Sequence, residues 1–390
     1  MDISGKFSIT LVGGIMLGQL INQLVFENNH SNIVNKHKYP YGNTLDVLNK
    51  DADFFIGNLE TTITTESKTW PKSLNVRFFP RHIQALTLLT PQFSNILPLT
   101  PSFVSTNLSH VSNSSPLFVS LANDRILDYG YAGYRETIKT LNDNQINYAG
   151  VGDFKEQAMD PCIVNINAHD GTTLQIACFS AADHPQEWSS CYKNSGKCHI
   201  PIPNIRSPKE HAGLYFISPV SSQNLLEFQN QVQKYRKYVD LIVVSLRFSQ
   251  NSSWKPRYTL VNFARRLIDA GVDVIHGHSS LHIQGIEIYK GKPIFYGCGD
   301  FVNDYLVNPE FRNDLGFIYT LHLSVTPAKH IKFTKIDLHP KKIDLLQVNL
   351  LEKKEEESDY EWLIDKMKSL CNDFGTKCVE NHEGGLVINI

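Results

Sequence analysis

Along this chain short apolar runs recur, and each ends in polar residues: FSITLVGG at 7–14, ADFFIGNLE at 52–60, PLFVSLAND at 116–124, DLIVVSLRF at 240–248 and GVDVIHGH at 271–278. Runs that are apolar at consecutive positions predict strands covered on both faces. Between several of them the period lengthens to that of a helix, in GYRETIKTLNDN at 133–144 and YTLVNFARRLIDAG at 258–271. This strand–helix alternation predicts an α/β sandwich of mixed sheets flanked by helices.

Two segments predict hairpins. PCIVNINAHDGTTLQIACFSA turns at Asp170-Gly171, and IQGIEIYKGKPIFYG turns at Lys290-Gly291-Lys292. Asp-Gly and Lys-Gly steps supply the positive φ that tight hairpin turns need. Further strands are expected at GFIYTLHLSV and HIKFTKIDLHP, then a solvated connector at 351–358 and a helix over EWLIDKMKSLCNDF. Residues 90–116, rich in Ser, Thr, Pro and Asn, carry neither period and read as an inserted loop. No internal repeat and no clear linker divides the chain. The expectation is one domain over 1–350, with 351–390 as a C-terminal helix and tail packing on it.

Composition narrows the function classes. A formal net charge of −2 over 390 residues gives no bulk attraction to nucleic acid or anionic membrane, so neither is expected as a partner. The N-terminus has no basic segment followed by a long apolar one, and no apolar run approaches the roughly 20 residues of a membrane span. A cytoplasmic protein with reduced thiols is expected from this and from the 7 cysteines. The pairs Cys191/Cys198 and Cys371/Cys378 share a spacing that is not a zinc-ligand spacing. The sequons at Asn107, Asn113 and Asn251 matter only in a secreted chain.

In α/β sheets, sites form at the carboxyl ends of the strands. Here those ends carry Gly13-Gly14, Asn58-Leu59-Glu60, Asn123-Asp124-Arg125, Arg247-Phe248-Ser249 and His276-Gly277-His278. Asn58 and Glu60 are two apart, so in an extended chain they face one side. Amide, carboxylate and imidazole groups converging from separate strands suit a hard or borderline divalent metal. Arg125 does not fit that picture, since a guanidinium has no lone pair to give.

The motifs resemble those of the bacterial capsule-synthesis, or CapA, proteins, also called poly-γ-glutamate synthesis proteins. GGIMLG is similar to a Gly-Asp-x-Met-Leu-Gly opening, GNLETTI to an Asn-Leu-Glu motif, and SLANDRILDYG to Ser-Leu-Ala-Asn-Asn-His-x-x-Asp-Tyr-Gly. GVGDFKEQAMDP, SAADHPQEW, VDVIHGHSSLHIQGIEIYKGKPIFYGCGDFVNDY and RNDLGFIY continue the resemblance. It implies a calcineurin-like metallophosphoesterase fold. It also marks departures. Gly14 stands where the family has Asp, Arg125 where it has His, and Arg247-Phe248 where it has His-Trp. Leu281 stands where it has another His, with His282 one place further on.

The residues left to hold a metal are Asn58, Glu60, Asn123, His278, His276 and His282, enough for at most one divalent ion such as Mn²⁺, Zn²⁺ or Fe. His278, Asp124 and His184 are the candidates for catalysis, the last through an Asp183-His184 acid–base pair. Arg125, Arg247 and Asn123 are the candidates for binding a ligand. At about 6 Å and an effective dielectric near 20, one arginine and one dication repel by about 5 kcal/mol. The arginines are therefore expected to fill the space vacated by metal and to pair with Glu60. Two functions follow. One is a CapA-like protein with a degenerate site that binds an anionic small molecule or a polyglutamate-like polymer. The other is an active hydrolase with a reorganised single-metal site. Asp300 and Asp128 are expected to brace or cap loops, the latter near a helix start.

Overall fold

The computed structural model describes residues 5–28, 33–49, 52–91, 115–167, 171, 173–184, 212–248 and 253–390. Residues 92–114 of the expected loop, the turn residue Asp170, Ser249, the three sequons, Cys191 and Cys198 lie outside them.

The elements that build the site are β1 (Gly5–Ile15), β2 (Phe54–Leu59), β3 (Leu117–Ser120), α1 (Gly130–Asp143), β4 (Asn147–Ala149), β5 (Cys162–Asn167), β6 (Thr173–Ala182), α2 (Ser222–Arg236), β7 (Leu241–Arg247), α3 (Tyr258–Asp269) and β8 (Val274–His278). They are followed by β9 (Ile286–Tyr289), β10 (Lys292–Phe295), β11 (Asp300–Val302), β12 (Leu315–Val325), β13 (Ile331–Asp344), β14 (Gln347–Leu350), α4 (Glu357–Asn372), β15 (Val379–Glu380) and β16 (Leu386–Asn389). One sheet runs β15-β16-β13-β12-β1-β2-β3-β4, with β11 added on β1 and β14 on β13; the other runs β9-β10-β8-β7-β6-β5. Both are mixed. β1 to β4 are mutually parallel, while β1, β12, β13 and β16 alternate in direction. In the second sheet β6, β7, β8 and β10 are parallel, and β5 and β9 close the edges antiparallel.

The apolar runs pack as four layers. Phe7, Ile9 and Leu11 of β1 and Phe54 and Ile56 of β2 meet Ile176, Leu241, Val243 and Val274 between the two sheets. The alternate residues Ile242, Val244 and Leu246 of β7 turn outward onto Phe228 of α2 and Phe263, Ala264 and Leu267 of α3. α1 covers the outer face of the first sheet through Tyr134 and Leu141. Parallel neighbours need long crossovers, and α1 and α3 supply two of them. The β9–β10 hairpin turns through Lys290 (φ 52°) and Gly291 (φ 75°), the two positive φ values of a type I′ turn. α4 adds Tyr360, Leu363, Ile364 and Met367 to the inter-sheet core. Its preceding residues 352–355 are exposed, as a solvated connector should be. Cys162, Cys178, Cys298, Cys371 and Cys378 are free thiols. Among the described residues no helix is long and apolar enough to cross a membrane.

Register then fixes the site. Gly14 pairs with Asn58 and Asn58 with Ser120 across the first sheet, while Ala182, Arg247 and His278 lie side by side across the second. Both rows end at the carboxyl tips of parallel strands, so the two sheets present their polar ends to one another.

Candidate functional site

The site has an inner layer of buried groups hydrogen-bonded to one another. Asn123 donates through Nδ2 to Asn58 Oδ1 at 2.9 Å, and Asn58 donates through Nδ2 to Glu60 Oε1 at 2.7 Å. Ser279 Oγ donates to the same Glu60 oxygen at 2.5 Å and lies 3.0 Å from His278 Nδ1. The other nitrogen of His278, Nε2, is 3.2 Å from Ser120 Oγ, which lies 2.6 Å from Ser180 Oγ. Ser279 reaches Glu60 because its backbone is left-handed (φ 66°), as is that of Leu281 (φ 60°). Such a conformation in non-glycine residues costs free energy and points to a loop held by its contacts. Asn58, Glu60, Asn123 and His278 are all buried. Burial, and then the neighbouring charge of Asp124, raise the Glu60 carboxyl above its usual range. Burial holds the His278 imidazole well below its ordinary value. Both shifts favour the uncharged forms.

An outer layer carries the charge. Arg247 is 4% exposed and places Nε at 3.2 Å and Nη2 at 3.1 Å from Asp124 Oδ1. Its Nη1 is 2.5 Å from His184 Nδ1 and 3.6 Å from Asp183 Oδ1. His184 Nδ1 is also 2.8 Å from Asp183 Oδ1. One nitrogen cannot both accept from the guanidinium and donate to the carboxylate. Whichever partner Nδ1 serves, His184 is drawn into the charged cluster around Arg247.

Arg125 donates from Nη1 to the Leu74 carbonyl at 3.0 Å and from Nη2 to Tyr305 Oη at 3.2 Å, with Asp124 at 3.9 Å and Asp128 at 4.0 Å. Its Nε is buried without a hydrogen-bond partner. Lys72 completes the cluster, bonded to the Asp124 carbonyl and the Asp128 carboxylate. Burial alone would raise the Asp124 carboxyl, but Arg247 and Arg125 outweigh it and hold the group well below the usual carboxylate range. Asp128, fully buried, is instead pushed up to about 7 by burial, against the pull of Lys72.

Several expectations need correction. Neither arginine pairs directly with Glu60. Both act on its carboxyl through space, but Arg247 bonds to Asp124, and Arg125 bonds to the Leu74 carbonyl and Tyr305 with Asp124 at 3.9 Å. His276 is not available as a ligand: Nδ1 lies 2.9 Å from Ser245 Oγ and Nε2 2.8 Å from the Val12 carbonyl, so both nitrogens tie β8 to its neighbours. Burial pushes its imidazole down to about 4. His282 stacks on Phe311 with ring centres 4.6 Å apart, beside Trp254 at 4.9 Å, in an aromatic cluster of its own. Asp128 does not cap α1, whose first turn has no side-chain cap. It braces the 70–77 loop by accepting from Val76 N at 2.6 Å and from Lys72. Asp300 does brace a loop, accepting from Asn303 Nδ2 at 2.6 Å, but it also lies at the site.

Gly14 explains how. A Cβ there would fall 2.4 Å from Asp300 Oδ1 and 3.3 Å from Glu60 Oε2, so the Asp300 carboxylate fills the space a side chain at 14 would take. The fit to a metal pair is therefore poor. The amide oxygens of Asn58 and Asn123 accept from Asn123 Nδ2 and Arg125 N, Glu60 Oε1 accepts two bonds, and two arginines face the carboxylates. Among the described residues no three His, Cys, Asp or Glu side chains are grouped as a metal site.

A family model described as bacterial capsule synthesis protein PGA_cap matches residues 8–95 and 102–305. The chain belongs to this family. A "probable polyglutamine synthesis accessory protein" of Mycobacterium tuberculosis is 28% identical over 88% of this chain and 79% of its own length. The "capsule biosynthesis protein CapA" of Bacillus anthracis is 24% identical over 77% of this chain and 60% of its own. The "PGA biosynthesis protein CapA" of Bacillus subtilis is 22% identical over 93% and 81%. A solved hypothetical protein from Thermus thermophilus covers 87% of this chain and 100% of its own, with a TM-score of 0.41 and 10% identity. The mixed sheets flanked by helices fit the metallophosphoesterase-like sandwich expected of a capsule-synthesis family member.

Sequence reasoning gathered Asn58, Glu60, Asn123, Asp124, Arg125, Arg247 and His278, which the fold does bring together. It missed Ser279, Ser120, Lys72 and Tyr305. Ser279 adjoins His278 and was open to detection. Lys72 and Tyr305 come from loops whose approach no local pattern encodes.

Proposed function

We propose that this family member binds an anionic, carboxylate-bearing ligand, such as a γ-linked glutamate polymer or a piece of one, at the Arg125–Arg247–Lys72 cluster, and does so without dinuclear metal hydrolysis. The names of the relatives supply the polymer class. The chemistry is that of a cation cluster around one strongly acidic partner. Three basic side chains face Asp124, Asp128 and Asp183, and burial pushes the Asp128 carboxyl up to about 7. An incoming carboxylate can replace Asp124 or His184 on the Arg247 fork, where charge-assisted bonds are strongest.

The observation that carries the reading is that Arg247, buried at the tip of β7, is fixed on Asp124 while the groups beneath satisfy one another. The hydrolase alternative needs Glu60 and His278 free to take a metal. Titration calorimetry with tetra-γ-glutamate tests the proposal. Wild type should bind with an affinity that falls as salt rises, and Arg247→Met should weaken binding at least about tenfold, the loss of one charge-assisted contact. Mn²⁺-dependent cleavage of a generic phosphodiester, abolished by His278→Ala and Glu60→Gln, would replace this reading with the hydrolase.

A further inference from the structure

The antiparallel register of β12 and β13 sets Gly316 opposite Lys341. A Cβ at Gly316 would lie 2.9 Å from Lys341 Cε and 3.4 Å from Nζ, so the absent side chain leaves the path along which the lysine runs. Lys341 is 0% exposed, and its Nζ has no hydrogen-bond partner. A lysine at a protein surface lets its ammonium reach water; this one does not. One strand further in, β11 lies parallel to β1 with Asp300 beside Gly14. Its Oδ1 is likewise buried and without a hydrogen bond, and it shares the volume at Gly14 with Glu60 Oε2. The charges that act on Lys341 are Asp300 and Asp314; those that act on Asp300 are Glu60, Lys341 and Arg125. Arg312 takes up Asp314 at 2.7 Å, which leaves Asp300 as the carboxylate without a partner cation in contact.

We propose that Lys341 is a positioning residue whose buried ammonium is the tethered counter-charge of the Asp300 carboxyl group, holding it in its seat at Gly14 from inside the sheet. Two glycines make this arrangement: Gly316 clears the path of the lysine and Gly14 clears the seat of Asp300. The proposal rests on the binding-protein reading above and extends it. With Asp300 compensated from beneath by Lys341 and Asp124 from in front by arginines, the site needs no bound cation to hold its shape.

The test is a double-mutant cycle on melting temperature, without ligand, repeated with MnCl₂. Lys341→Met should lower the melting point by roughly 4–8 °C, as loss of one buried partner does in a large domain. Asp300→Asn/Lys341→Met should melt well above the sum of the single effects. Mn²⁺ should recover part of the Lys341→Met loss and leave wild type unmoved, a response that a purely packing role for Lys341 would not produce. Additive single effects, or an equal Mn²⁺ shift in wild type and Lys341→Met, would overturn the proposal. If Lys341→Met fails to fold, Asp300→Asn and the double variant decide: similar melting supports the coupling, and a double variant that also fails contradicts it. Because no ligand is present, this outcome is separate from the tetra-γ-glutamate result that tests the function.

Discussion

The outer and inner layers of the site lie within one side chain of each other and are built on opposite principles. Outside, Arg247, Arg125 and Lys72 stand against Asp124 and Asp128, and the layer is held by charge. Inside, Asn58, Glu60, Ser279 and His278 are linked by hydrogen bonds in a row, and burial favours the uncharged forms of Glu60 and His278. The difference shows what arginines among buried carboxylates entail. A guanidinium brought to a carboxylate-rich pocket holds one carboxylate ionised, Asp124, and leaves the deeper ones, Glu60 and Asp300, to burial, which favours their protonated forms. On the proposed function, the outer layer is the one whose partners an incoming anion replaces. The inner one has its polar groups taken up already.

The comparison breaks most visibly at Arg247. Arg247→Ala leaves Asp124 facing a site with one cation fewer, and unfolding in urea should show a loss of about 3 kcal/mol, the low end for a buried pair because the Asp124 side chain is 30% exposed. Asp124→Asn/Arg247→Met should recover much of it. Next in size is an acid dependence located beside the site, on β8. The His276 imidazole is pushed down to about 4 from an ordinary value near 6.5, so its folded form favours the neutral ring. The stability tied to that preference is full above about pH 6.5 and is lost as pH falls toward 4, a span worth about 3 kcal/mol. His276→Asn should flatten the slope of melting temperature between pH 7 and pH 4.5, whatever its effect on the absolute value.

Smaller again is the effect of residue 14. Gly14→Ala puts a methyl group against Asp300 Oδ1 and should cost about 1–3 kcal/mol; in an Asp300→Ala background that cost should shrink. The smallest change is expected of Glu60→Gln. An amide is a near-isostere of a protonated carboxyl and keeps its acceptor oxygen, so chemical denaturation should register less than about 1 kcal/mol. A loss as large as that of Arg247→Ala would mean that Glu60 is ionised and that the two layers are not distinct.

Much of this fold was legible because its strands are buried on both faces. Runs such as DLIVVSLRF and GVDVIHGH have few other ways to exist in an α/β sandwich, and their polar ends mark the strand tips where the site forms. The partners within the site were less legible, because contact between tips depends on register and loop path. Arg125 and Glu60 looked like natural partners in sequence, yet Arg125 is taken up by the Leu74 carbonyl and Tyr305, and Arg247 by Asp124. His276 and His278 look alike in a Gly-His motif. Alternation along β8 sends them to different neighbours, His276 to Val12 and Ser245 and His278 to Ser279 and Ser120. Lys341, in the run PKKID, gave no sign of burial, because only the glycine opposite on β12 makes room for it.

Metal content of the purified wild-type chain after equilibration with excess Mn²⁺ and gel filtration bears most directly on a site closed by its own side chains. The expected result is metal far below one equivalent per chain, unchanged by Glu60→Gln. Two equivalents retained and lost on that substitution would contradict it.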